Sequence, residues 1–167
     1  ADLRFTSGDF AVHGDPIFFP SYSSKEYVAC ALANSIFGVI QFSVTPNTLN
    51  EEQFKVVKNY INFAKKYNDV LLDGNFTVVG GSNAYSECRS TLNGLTIVGY
   101  YEPKHIVDID ENMIIINGSG VCGIYVKTPL NKKLKYKIKD CFGNFVKEDC
   151  AEDITFINLD AGSMLYL

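Results

Sequence analysis

Asp9, His13 and Asp15 bring two carboxylates and an imidazole together near the start of the chain, in or beside turns that follow short apolar segments. Groups in such loops can border a binding pocket. Each also has a plainer reading: Asp9 and Asp15 as turn formers, His13 as a hydrogen-bonded core residue. Gln41 and Ser43 alternate along the Val39–Val44 stretch and pose the same choice between pocket and satisfied interior. His105 with a cysteine would suggest a thiol nucleophile, but nothing in the spacing fixes such a pair. Asp108, Asp110 and Glu111 miss the spacing of a calcium loop and read as a solvated turn. Tyr100, Tyr101 and Tyr125 read as either a ligand-stacking platform or part of a core, the commoner fate of aromatics at such positions. No residue is assigned a catalytic role, and no metal or cofactor is expected.

The chain has 167 residues, 47% hydrophobic and 20% charged, an ordinary globular composition. A net charge of −4 removes any general attraction to nucleic acid or to an anionic membrane. No apolar run reaches the ~18 residues of a membrane span. Five cysteines, an odd count with no Cys-x-x-Cys pair, argue against a disulfide framework or a zinc site. Buried free thiols in a reducing, cytoplasmic setting are expected. Asn75-Phe76-Thr77 and Asn117-Gly118-Ser119 match the glycosylation acceptor pattern, which often arises by chance. The first residue is Ala and no signal peptide follows, so the chain is expected to be a processed form or a fragment.

Two helices must position these groups. Ser23 with Glu26, and Asn50 with Gln53, have capping-box spacing. They predict helices over Ser23–Phe37, apolar and alanine-rich, and over Leu49–Asn68, with an apolar face built from Phe54, Val57, Ile61 and Ala64 and widened by Tyr60, Phe63 and Tyr67. Glu51 and Glu52 in the first turn of the second helix, and Lys65 and Lys66 in its last, suit the macrodipole. Val39–Val44 reads as a strand between them, giving the helix–strand–helix grammar of a parallel α/β protein. From Phe76 onward only short strands follow, separated by turns such as Asn93-Gly94 and Gly118-Ser119-Gly120, which predicts an antiparallel sandwich or barrel. Tyr136–Lys139 alternates and should have one wet face. Met113–Ile116 does not, and should lie central in a sheet.

Ala33-Asn34-Ser35-Ile36-Phe37-Gly38-Val39 is similar to the alanine-rich helix ending in Phe-Gly before the last barrel strand of the large bacterial α-galactosidase (melibiase) family. Leu49-Asn50-Glu51-Glu52 resembles the start of that family's last barrel helix. Tyr67-Asn68-Asp69-Val70-Leu71-Leu72-Asp73-Gly74-Asn75-Phe76 resembles its exit into the C-terminal domain, and this is the most telling of the motifs. Tyr136-Lys137-Ile138-Lys139-Asp140-Cys141-Phe142-Gly143 and the closing Leu159–Leu167 resemble strands of that domain.

The resemblance implies an α+β fold: residues 1–73 as the tail of a (β/α)8 barrel and residues 74–167 as an antiparallel C-terminal β-sandwich. It implies a parent enzyme that hydrolyses oligosaccharides by double displacement, using one carboxylate as nucleophile and another as acid/base. The nucleophile's strand has no counterpart here, so the chain alone is expected to be inactive. Thr6-Ser7-Gly8-Asp9 resembles the acid/base loop, while the Phe10–His13 segment resembles a Gly-Ala-His segment of the penultimate strand; the two placements compete. Under this reading Asp9, His13 and Asp15 would border the sugar pocket. The partners expected are the oligosaccharide substrate, through the parent enzyme, and either the missing barrel portion or a second copy covering the apolar faces of residues 27–44 and 54–67. No nucleic acid or membrane partner is expected. The alternative is a non-catalytic carbohydrate-binding or structural β-module.

Overall fold

Side-chain caps start both long helices. The computed structural model describes residues 12–13, 17–81 and 84–167. Helix α1 (Lys25–Asn34) begins where Ser24 Oγ accepts a hydrogen bond from the Tyr27 amide at 3.2 Å. It stops short of the predicted Phe37. Asn34 Nδ2 and Ser35 Oγ donate to the carbonyls of Cys30 and Ala31, a local competition that weakens a helix, and the chain continues in tighter turns with Ser35 N donating to Leu32 O and Ile36 N to Ala33 O. Helix α2 (Glu51–Lys66) has the full capping box: Gln53 N donates to Asn50 Oδ1 at 2.9 Å and Asn50 N to Gln53 Oε1 at 3.2 Å.

The buried stripe of α2 is Gln53, Val56, Val57, Tyr60 and Phe63, while Phe54 is 52% exposed. This differs from the face read on apolar residues alone. Gln53 turns inward because its Nε2 lies 2.9–3.2 Å from the carbonyl oxygens of Pro20, Ser21 and Ser23. One amide thus joins the turn before α1 to the start of α2. The exit expected to be irregular is a short helix, α3 (Asn68–Asp73). The expected Val39–Val44 strand is reduced to two parallel bridges, Val39 with His13 and Phe42 with Ile17.

Among the described residues ten strands follow: β1 (Asn75–Gly81), β2 (Ala84–Leu92), β3 (Leu95–Tyr100), β4 (Ile106–Asp108), β5 (Met113–Asn117), β6 (Ile124–Lys127), β7 (Lys133–Lys139), β8 (Phe145–Glu152), β9 (Ile154–Ile157) and β10 (Met164–Tyr166). They form a seven-stranded sheet ordered β1-β2-β3-β5-β10-β7-β8 and a three-stranded sheet ordered β4-β6-β9. The sheets are not purely antiparallel as expected, because β3 pairs parallel with β5 and β4 with β6. The cause is the path of the chain, which alternates between sheets from β3 to β6, so strands two apart in sequence become parallel neighbours.

The molecule is layered: helices, large sheet, small sheet. Strand β5 lies at the centre and is buried throughout. Its Ile114 and Ile116 join a core with α1, α2 and α3, while Met113 and Ile115 join a second core beneath the small sheet. Cover on both faces explains why β5 does not alternate. Strand β7 does alternate, with Leu134, Tyr136 and Ile138 inward and its lysines in solvent.

The first core spans the expected boundary at residue 73, since Val28, Leu32, Tyr60 and Leu71 pack with Cys88, Ile97 and Met164. Polar pins reinforce it. Tyr60 Oη donates to Gly162 O at 2.8 Å, Tyr101 Oη to Ala33 O at 3.1 Å and Asn59 Nδ2 to Cys141 O at 3.1 Å. The helix faces expected to await a missing partner are therefore largely covered by the chain's own sheet. Tyr27 and Phe54 stay exposed, and a groove of about 400 Å³ stays open beside Val39, Ile40, Phe42, Ile61 and Leu72.

Candidate functional site

Three places hold groups with chemical potential. The first is where His13 was expected to border a pocket. His13 is exposed and sits in parallel register with Val39, where Val39 N donates to Val12 O at 2.8 Å. Its Nδ1 lies 3.3 Å from Gln41 Nε2, so the amide donates when Nδ1 is unprotonated. The core reading of His13 is therefore replaced by a surface pair with Gln41. Asp9 and Asp15 lie outside the described residues. Ser43 is exposed and its amide donates to Ile17 O at 3.0 Å. His13 and Gln41 can hydrogen-bond a polar ligand.

The second place was missed in the sequence. Glu87 is 1% exposed in the middle of β2. One carboxylate oxygen meets Arg89 Nε; the other lies 2.9 Å from His105 Nε2. Arg89 Nη2 also donates to Asp108 O at 3.0 Å, and the His105 ring sits 6.3 Å from that of Tyr100, the residue directly opposite Glu87. Glu87 and Arg89 are two apart on a strand and so share a face, the one signal that could have found them. A buried carboxylate held on both oxygens is neither a free base nor a free acid. Its neighbours offset the cost of burying it, and the cluster ties β2 to β4 across the two sheets. His105 is thus committed to a carboxylate rather than to a thiol.

The third place is the outer face of the small sheet. Ile106, Tyr125 and Phe156 lie side by side across β4, β6 and β9. All three are solvent-exposed, and the Tyr125 and Phe156 rings are 5.1 Å apart and tilted by 56°. The next row along the strands is Asp108, Lys127 and Ile154. It opens into a groove of about 570 Å³ that also reaches Thr128, Leu130 and Asp153. Thr128 is buried, and its Oγ1 has no hydrogen-bond partner among the described residues. Of the three tyrosines considered as a platform, Tyr100 is fully buried and Tyr101 is tied to Ala33, which leaves only Tyr125 outside. Phe156 was not anticipated; its period-2 partnership with Ile154 was the available signal.

The remaining candidates resolve as structure. Asp110 Oδ1 accepts from the Glu111 amide and from Lys132 Nζ, closing a turn. Asn117 is fully buried, with Nδ2 donating to Val121 O at 2.8 Å and Leu159 O at 2.7 Å, so that acceptor pattern is closed to modification; Asn75 is exposed. Burial pushes the Cys88 and Cys141 thiols up to about 11, as suits inert core cysteines. Cys122 departs from the expectation of buried thiols: it is exposed, within reach of Asn158 and Asp160. No protein-family model, curated protein or solved structure matches this chain.

Proposed function

We propose that this chain is the C-terminal portion of a retaining glycoside hydrolase of the α-galactosidase kind. In this reading residues 1–73 are the last strand–helix units of a (β/α)8 barrel, and residues 74–167 are a β-sandwich that supports them. The observation that carries the proposal is the pairing around α1. The chain enters α1 from the segment bearing His13 and Ile17 and leaves it into Val39–Phe42, and the two segments pair in parallel at both bridges. A parallel pair joined through a helix is the repeating unit of such barrels. The amphipathic α2 then follows, as the closing helix would, and after the short α3 the chain passes into strands only.

In this role His13 and Gln41 lie on neighbouring barrel segments and hydrogen-bond hydroxyls of the bound sugar. The double displacement needs two carboxyl groups about 5–5.5 Å apart, one ionised and one protonated. Glu87 does not qualify, being held by Arg89 and His105. In the family this reading invokes, the nucleophile lies on a middle barrel strand that has no counterpart in these 167 residues, so in this reading the chain closes the barrel rather than performing the chemistry.

The experiment compares the pure 167-residue chain with a longer polypeptide carrying the residues that precede it in its reading frame. Both are assayed on aryl α-galactosides, with the anomeric configuration of the first product read by NMR. The expected result is turnover with retention by the longer polypeptide and none by the shorter. Turnover by the short chain, or none by the long one on aryl α-galactosides, sinks the proposal.

A further inference from the structure

We infer that the outer face of the three-stranded sheet is a saccharide-binding surface, on which Tyr125 and Phe156 stack a pyranose ring while Asp108 and Lys127 hydrogen-bond its hydroxyls. The inference does not depend on the hydrolase reading.

The rings are held in place rather than left loose. Phe156 lies over Gly123, whose φ is +95° and where an added Cβ would come 2.2 Å from the ring. Tyr125 packs against Phe156 at 5.1 Å. Exposed rings cost free energy in water, and a contiguous patch of fixed exposed rings on a sheet face marks an interaction surface. Sugar C–H groups carry partial positive charge and suit the negative face of an aromatic ring.

The polar row chooses among occupants. Residues two apart on a strand stand about 7 Å from each other, so a sugar over Tyr125 reaches Asp108 and Lys127, which pair across β4 and β6 in the next row. The dry centre of a protein interface is depleted of charge, whereas a polyol needs donors and acceptors of this kind beside the ring. Net charge of −4 disfavours phosphate-rich ligands. The groove that opens beside this row, lined by Asp108, Lys127, Leu130 and Ile154, gives the saccharide room.

The test is saturation-transfer NMR on the full chain with the methyl glycosides of galactose, glucose, mannose and xylose at millimolar concentration. Transfer to at least one of the four is expected, strongest at protons on one face of the ring. The double variant Tyr125→Ala, Phe156→Ala should weaken binding roughly tenfold or more while the amide spectrum stays dispersed. Phe145→Ala on the edge strand β8, an exposed aromatic away from the platform, should leave binding unchanged. No transfer to any of the four glycosides overturns the inference. So does transfer that survives the double variant, or a concentration-dependent dimer that the double variant abolishes, which would make the face a contact between copies.

Discussion

Tyr60 shows how single residues hold this molecule together. Its ring is fully buried on α2, and its hydroxyl crosses to Gly162 O in the turn before β10. Burial raises its pKa well above the ordinary 10.0, because an ionised phenolate there would lose its water. The unfolded chain releases that proton near pH 10, while the folded chain keeps it. The contribution of Tyr60 to stability is therefore complete below about pH 10 and is lost as pH rises above it. Tyr60→Phe should lower stability at neutral pH by about 1–2 kcal/mol, since Gly162 O loses its donor. It should also flatten the fall in stability between about pH 10 and 11. Urea unfolding of both proteins at neutral and alkaline pH checks this, and identical alkaline slopes would remove Tyr60 as a cause.

At the scale of elements, the alanines of α1 serve contact. Ala29 and Ala33, one turn apart, face the turns of the large sheet. A Cβ on Gly162 would come 2.1 Å from Ala29 Cβ, and one on Gly118 would come 3.4 Å from Ala33 Cβ. Gly162 also has φ +74°, a conformation that side chains resist. Gly162→Ala should therefore cost about 2–4 kcal/mol from strain and overlap combined. Ala29→Gly in the same chain should recover the overlap but not the strain, and a double-mutant cycle on thermal melts would show the coupling. Simple additivity would mean that α1 shifts freely over the sheet.

The whole molecule folds around the large sheet, whose two faces carry separate cores. The expected division at residue 73 cuts through the first of these. A polypeptide of residues 74–167 alone would expose Ile97, Ile114, Ile116 and Met164, which α1, α2 and α3 otherwise cover. Such an apolar area on a sheet face favours association or loss of fixed packing. It should bind a hydrophobic dye and show collapsed amide dispersion, whereas the full chain should do neither. A monomeric, well-dispersed 74–167 would mean that the helices are an independent addition.

Much of this architecture was legible in the residues. Local signals sufficed wherever the determinant was local. The capping box of Asn50 and Gln53, the alternation of β7 and the unbroken apolar run of β5 each follow from periods and caps that act over a few residues. The tertiary structure alone decided matters that depend on partners distant in sequence. It turned Gln53 inward to meet Pro20, Ser21 and Ser23, and it set Glu87 against His105. It made β3 and β5 parallel neighbours by routing β4 through the other sheet, and it left Tyr125 in solvent while burying Tyr100. Hydrogen-bond satisfaction and burial are properties of the assembled neighbourhood, and no spacing along the chain encodes which neighbour arrives.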